Sequence, residues 1–200
     1  MTDAWLAGIA ADPWALAVLF ALVFADSFLV VIPGEIAVTV LGSISAGSGV
    51  PPLWAVIAVA ALAAFCGDAC CYLIGRLLHP ERRRFFANRP RFQSAHEWAK
   101  TRLRSHVAMA VFTVRFIPFA RLVVNLTAGA TGIRATRYLP VAAISATLWA
   151  AYQALVGATI ATLLPGGTIT AVIVSIAAAL LLGWVIDTLM ARVAPRAGGR

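Results

Sequence analysis

Apolar residues along the chain fall into runs at 14–31, 36–46, 53–74, 107–130, 138–163 and 168–189, with proline, glycine and arginine gathered between them. The runs differ in length, and length decides what each can do. A helix needs about 20 consecutive apolar residues to cross the hydrocarbon core of a bilayer. The segments 51–75, 138–164 and 168–190 meet that requirement, and Pro51-Pro52 and Pro165-Gly166-Gly167 punctuate their ends. Three spanning helices are therefore expected, within a single all-α membrane domain.

Composition agrees with a bilayer as solvent. Of 200 residues, 62% are hydrophobic and 12% charged, and the mean hydropathy is +0.90, so a water-facing surface could not be covered. The net charge of +8 comes almost wholly from arginine. Those arginines bunch in 76–104, at Arg134 and Arg137, and in 192–200. Such bunching reads as membrane topology and excludes a nucleic-acid partner. Residues 1–13 carry Asp3 and Asp12 but no lysine or arginine, unlike a cleavable signal peptide, so the first apolar segment is expected to remain in the chain. Cys66, Cys70 and Cys71 share one apolar stretch with no second cluster of ligands, which gives no reason to expect a metal or a cofactor.

The positive-inside rule puts the basic segment 76–105 in the cytoplasm, together with Arg134, Arg137 and the tail 191–200. Segment 106–133 then begins and ends on the same side, yet it is too short for two crossings. It is expected to be a re-entrant hairpin, broken at Pro118, where proline removes a backbone donor. By the same parity Pro51 lies outside. Segment 14–49, with two short apolar arms around Pro33-Gly34-Glu35, reads as a second hairpin, dipping in from an external N-terminus at 1–13. Pro33, Gly34, Pro118 and Gly129 are the candidate hinges. The two hairpins look alike: Ile32-Pro33, Glu35 and Ala46-Gly47 in one, Ile117-Pro118, Arg121 and Ala128-Gly129 in the other. Each precedes a spanning helix, the pattern of an inverted repeat whose broken segments meet near the midplane. The segment 76–105, with Arg82-Arg83-Arg84 beside Phe85-Phe86, reads as an amphipathic surface helix held by anionic headgroups.

Charges inside apolar segments are costly, about 2.5–3.5 kcal/mol each on insertion scales, and are functional by default. Asp26, Glu35 and Asp68 are the acidic residues that stand out, and Arg115 and Arg121 are the basic residues available to meet them. A guanidinium offers a planar fork matched to carboxylate or phosphate oxygens. Two arginines could hold one phosphate, and three carboxylates could carry protons. Asn125 joins the arginines as a candidate substrate ligand. Thr127 and Thr131, close behind it, could satisfy backbone freed by a broken helix. No nucleophile or metal cluster lies near the arginines, so an enzyme such as a lipid phosphatase is not expected.

The spacing Asp26 to Pro33-Gly34-Glu35, then Gly67-Asp68 with Tyr72 and Gly75-Arg76, then Arg115-Phe116-Ile117-Pro118 with Arg121 and Ala128-Gly129, resembles the DedA family, also described as the SNARE-associated or VTT-domain group. The resemblance covers about residues 24–157, and the R-F-I-P-x-x-R block is its most specific part. It implies a multi-pass lipid transporter of the bacterial cytoplasmic membrane with two re-entrant hairpins. It further implies that undecaprenyl phosphate is returned across that membrane at the expense of the proton motive force. By the same resemblance Glu35 and Asp68 look like the family's embedded acids, and Arg115 and Arg121 like its paired arginines. Asp26 stands where many members have glutamate. The expected partners are a lipid phosphate substrate and membrane lipids, with room for a homo-oligomer. The competing expectations are a phospholipid scramblase and a proton-coupled exporter of small cations.

Overall fold

The structure is a computed structural model and describes residues 12–29, 34–78 and 118–163, together with Val107, Val111, Arg115 and Val174 taken singly. Pro33, the expected spanning helix at 168–190 apart from Val174, and the basic segment from 79 to 105 lie outside the described residues. Among the described residues every regular element is helical: α1 (Pro13–Asp26), α2 (Gly34–Ser48), α3 (Leu53–Leu78), α4 (Pro118–Ala130) and α5 (Ala135–Leu163).

Local chemistry sets the boundaries. Asp12 caps α1 by accepting from the Trp14 amide at 3.0 Å, with Pro13 at the position where its missing N–H costs nothing. Helix α2 carries Glu35 in its first turn, where the helix dipole favours negative charge. At the end of α4, Gly132 takes the left-handed conformation (φ 74°). The Ile133 amide then bonds back to the Ala128 carbonyl and the Gly132 amide to that of Gly129, satisfying orphan carbonyls. Helix α3 runs three residues beyond the expected end of its segment and takes Arg76 into its last turn, where a cation suits the carbonyl-rich end.

Two classes of helix result. At 1.5 Å per residue, α3 and α5 are about 39 and 44 Å long, enough to cross a bilayer, and both are apolar enough to do so. By the same measure α1, α2 and α4 reach only about 20–22 Å. The start of α2 lies against the end of α1: a Cβ placed on Gly34 would lie 3.0 Å from the Asp26 Cβ. Large apolar side chains such as Val18, Leu62, Leu73, Leu148 and Leu155 are exposed on the outside, as a lipid-facing surface requires.

The interior has two apolar clusters. Leu19, Val23, Val38, Val56 and Trp149 join α1, α2, α3 and α5 in one, and Tyr72, Val107, Val111, Val124 and Tyr138 join α3, α4 and α5 in the other. Packing is crossed between the halves of the chain. Helix α2 lies on α5, and α4 lies on α3. Each crossing is a backbone-to-backbone approach at glycine. A Cβ on Gly157 would strike the Thr39 carbonyl, and one on Gly75 would strike that of Leu126. Gly75 and Gly157 hold the same register, each 22 residues past the first residue of its long helix (53 to 75, 135 to 157). Without a hydrophobic drive between helices in lipid, such close approach is what binds them.

Gly75→Val and Gly157→Val are each expected to destabilise the fold by about 1–3 kcal/mol through overpacking at these crossings. Thermal unfolding in detergent micelles checks this, with lipid-facing Leu148→Ala expected to leave the transition unmoved.

Candidate functional site

Asp68 lies 15 residues into α3, about 22 Å from its start, deep within the span. Helix periodicity puts Cys71, Tyr72 and Gly75 on its face, the side turned to α4. Arg121 in the first turn of α4 and Asn125 one turn later share a face directed at α3. Asp26 closes α1, Ser27 follows it, and Tyr138 stands in the first turn of α5. Crossed packing thus brings three helices and Arg115 around a single carboxylate.

Asp68 Oδ2 accepts from Arg115 Nη1 at 2.7 Å, and Oδ1 accepts from Asn125 Nδ2 at 2.8 Å, with Arg121 Nε at 3.5 Å. The Asp68 and Arg115 side chains are 1% and 2% exposed. Arg121 Nη2 donates to Ser27 Oγ at 2.9 Å and to Asp26 Oδ2 at 3.3 Å. Asn125 in turn accepts from the Tyr138 hydroxyl at 2.7 Å through Oδ1. Burial without a partner would be prohibitive for any of these ions, and the pairs are what make burial tolerable.

Two features depart from full pairing. Arg115 Nε and Nη2 are buried and have no hydrogen-bond acceptor among the described residues, while the guanidinium lies 5.4 Å from the Trp149 ring centroid. Glu35 is partly buried near enough for its charge to act on Asp26 and Arg121, but among the described residues it forms no ion pair. Below the cluster Tyr72 stacks on Tyr138 with centroids 4.6 Å apart. The Tyr72 hydroxyl donates to the Ile133 carbonyl and accepts from Arg76 Nη1 at 2.9 Å. No group of three metal-ligating side chains occurs among the described residues.

Of the residues singled out in the sequence, Asp26, Asp68, Arg115, Arg121 and Asn125 meet in one network, and Glu35 stands at its edge. Gly34 lies against Asp26, and Gly129 lies against the Tyr72 carbonyl, so both hold close approaches. Pro118 opens α4. Ser27, Tyr138 and Trp149 were not anticipated. Ser27 directly follows Asp26, which was a usable signal. Tyr138, beside Arg137 at a helix start, has the look of an ordinary interfacial aromatic.

Residues 32–159 match the VTT domain, a stretch that holds all of this network except Asp26 and Ser27. The chain belongs to the VTT domain family. It is 29% identical over 142 residues to undecaprenyl phosphate transporter A of Staphylococcus aureus (strain NCTC 8325 / PS 47), covering 66% of this chain and 68% of that protein. No solved structure matches the chain. With two apolar helices long enough to cross a bilayer, this VTT-family chain is a membrane protein.

Asp68→Ala is expected to cost about 3–5 kcal/mol, because it strands buried donors of Arg115, Arg121 and Asn125. Combining Asp68→Leu with Arg115→Met should recover part of that loss. Reversible unfolding of the single and double variants measures the coupling, and strictly additive effects would show the two side chains to be independent.

Proposed function

We propose that this chain carries a polyprenyl phosphate, of the undecaprenyl phosphate type, across the cytoplasmic membrane of a bacterium, with proton exchange at its carboxylates. One observation carries the reading: the unpartnered Nε and Nη2 of buried Arg115. Those two nitrogens form one edge of the guanidinium, the parallel pair of donors that matches two oxygens of a phosphate. Asp68 holds the opposite side through Nη1 and so aims the free edge. A buried cation with open donors wants an anion, which favours a phosphate over the small cation of the competing reading.

Charge counting supplies the proton step. Asp26, Glu35 and Asp68 against Arg115 and Arg121 leave one excess negative charge when all are ionised. An arriving phosphate is then repelled until a carboxylate takes up a proton. Asp26 is the natural one to yield, since its protonation loosens the 3.3 Å bond to Arg121 and releases Nη2 for the phosphate. Substrate and proton each favour the same state, which is what couples them.

The lipid character of the ligand has support of its own. A groove of about 490 Å³ between α3 and α5 is lined by Trp54, Ile57, Ala61, Leu62, Phe65 and Thr147. It lies along the same helix as Asp68, with Phe65 one turn before it, so a tail can stay in apolar surroundings while the phosphate reaches the arginines. In the arrangement we favour, the N-terminus lies outside, the C-terminus lies in the cytoplasm, and the hairpins 14–49 and 106–133 enter from opposite faces. The short lengths of α1, α2 and α4 and the shared register of Gly75 and Gly157 support that reading. The same donor edge would serve a scramblase of phospholipids, and headgroup selectivity separates the two.

Proteoliposomes loaded with labelled undecaprenyl phosphate test the proposal. Arg115→Gln should abolish uptake, and Arg115→Lys, which keeps the charge but loses the planar edge, should weaken apparent affinity by roughly tenfold or more. Collapsing the pH gradient should slow the parent. Full uptake by Arg115→Gln contradicts the role, and equal transport of a phospholipid supports the scramblase.

A further inference from the structure

The bonds around Asn125 assign the carboxylates different jobs. Tyr138 is fully buried, and its hydroxyl has two acceptors within reach: Asn125 Oδ1 at 2.7 Å and, at 3.5 Å, the Asp68 carbonyl. A phenol donates a single proton, and the nearer acceptor takes it. With its oxygen engaged in this way, the Asn125 amide must turn its NH2 end toward Asp68 Oδ1. The two ends of an asparagine amide are nearly identical in shape but opposite in hydrogen-bonding sense. Without the hydroxyl, a half-turn of the amide would set oxygen against carboxylate oxygen, a repulsion that a proton on Asp68 relieves.

We propose that Tyr138 is a positioning residue: through Asn125 it keeps Asp68 an ionised counter-ion throughout, leaving proton exchange to Asp26 and Glu35. The described surroundings of Asp68 are consistent with this. From α4 and the turn before it come Arg121, Asn125 and Arg115, all donors. From α1, Ser27 and Asp26 face Arg121 rather than Asp68. On α3 itself the Cys71 thiol is directed to the Ser27 carbonyl at 3.5 Å. From α2, Glu35 acts on Asp26 and Arg121. A protonated Asp68 needs an acceptor for its O–H, and none of these groups offers one to its side-chain oxygens. Among the described residues Asp26 has one side-chain bond, at 3.3 Å, with a side chain 11% exposed, and Glu35 has no ion pair, so both can gain a proton at small cost. The division of labour rests on the transport reading, while the ionisation of Asp68 does not.

Infrared difference spectroscopy of the purified chain in lipid, acid minus neutral, tests this through the carbonyl band of protonated carboxyl groups. The chain has five acidic side chains besides Asp26, Glu35 and Asp68, so the band is read by difference: in the parent, part of it should be lost in the Asp26→Asn, Glu35→Gln double variant and none of it in Asp68→Asn. Tyr138→Phe keeps the ring and its stack on Tyr72, so micelle unfolding should be close to the parent. It should gain one protonated carboxyl per chain, removed again by Asp68→Asn in that background, and its transport should acquire a second pH-dependent limb. A Tyr138→Phe spectrum identical to the parent overturns the proposal, as does a parent band that shrinks in Asp68→Asn. If the extra band appears but neither chain moves lipid phosphate, the transport reading fails and the role of Tyr138 stands.

Discussion

One carboxylate at membrane depth organises this molecule. Asp68 receives Arg115, Asn125 and, at longer range, Arg121, and each comes from a part of the chain at least 47 residues away. No single helix could tolerate these charges in lipid. The ions become admissible only when the crossed halves deliver all of them together, so packing and charge pairing stabilise one another. Glycine at the crossings lets the backbones come close enough for side chains as short as aspartate and asparagine to touch.

Pairing also sorts the charged groups by how tightly each is held. Asp68 is saturated with donors and behaves as fixed framework. Arg115 is held at one corner and open along an edge. Arg121 is shared between Asp68, Asp26 and Ser27, and Glu35 is loosest of all. A site graded in this manner has both what holds an anion and what can let it go. That gradation, more than the number of charges, is what gives the proposed carrier two states differing by small charge changes.

Much of this was legible beforehand, and for physical reasons. Apolar run length announces spanning helices, so α3 and α5 were found within a few residues of their ends. Embedded Asp26, Glu35, Asp68, Arg115 and Arg121 announce themselves because lipid penalises charge heavily. Which carboxylate meets which arginine was not readable, since the pairs join residues 47 and 95 positions apart across an interface that only the fold creates. Tyr138 was hidden for a different reason: a tyrosine near a helix end beside arginine is what any membrane boundary presents. The packing of α2 onto α5 and of α4 onto α3 was equally invisible. The glycines mark close approach but do not name the partner.

A high-resolution structure of the chain in lipid with undecaprenyl phosphate bound addresses the site most directly. The phosphate should lie against the Nε and Nη2 edge of Arg115, with Nη1 still on Asp68 Oδ2. A phosphate bound elsewhere, or one that displaces Asp68 from Arg115, would contradict the reading of this cluster as a pre-aimed anion site.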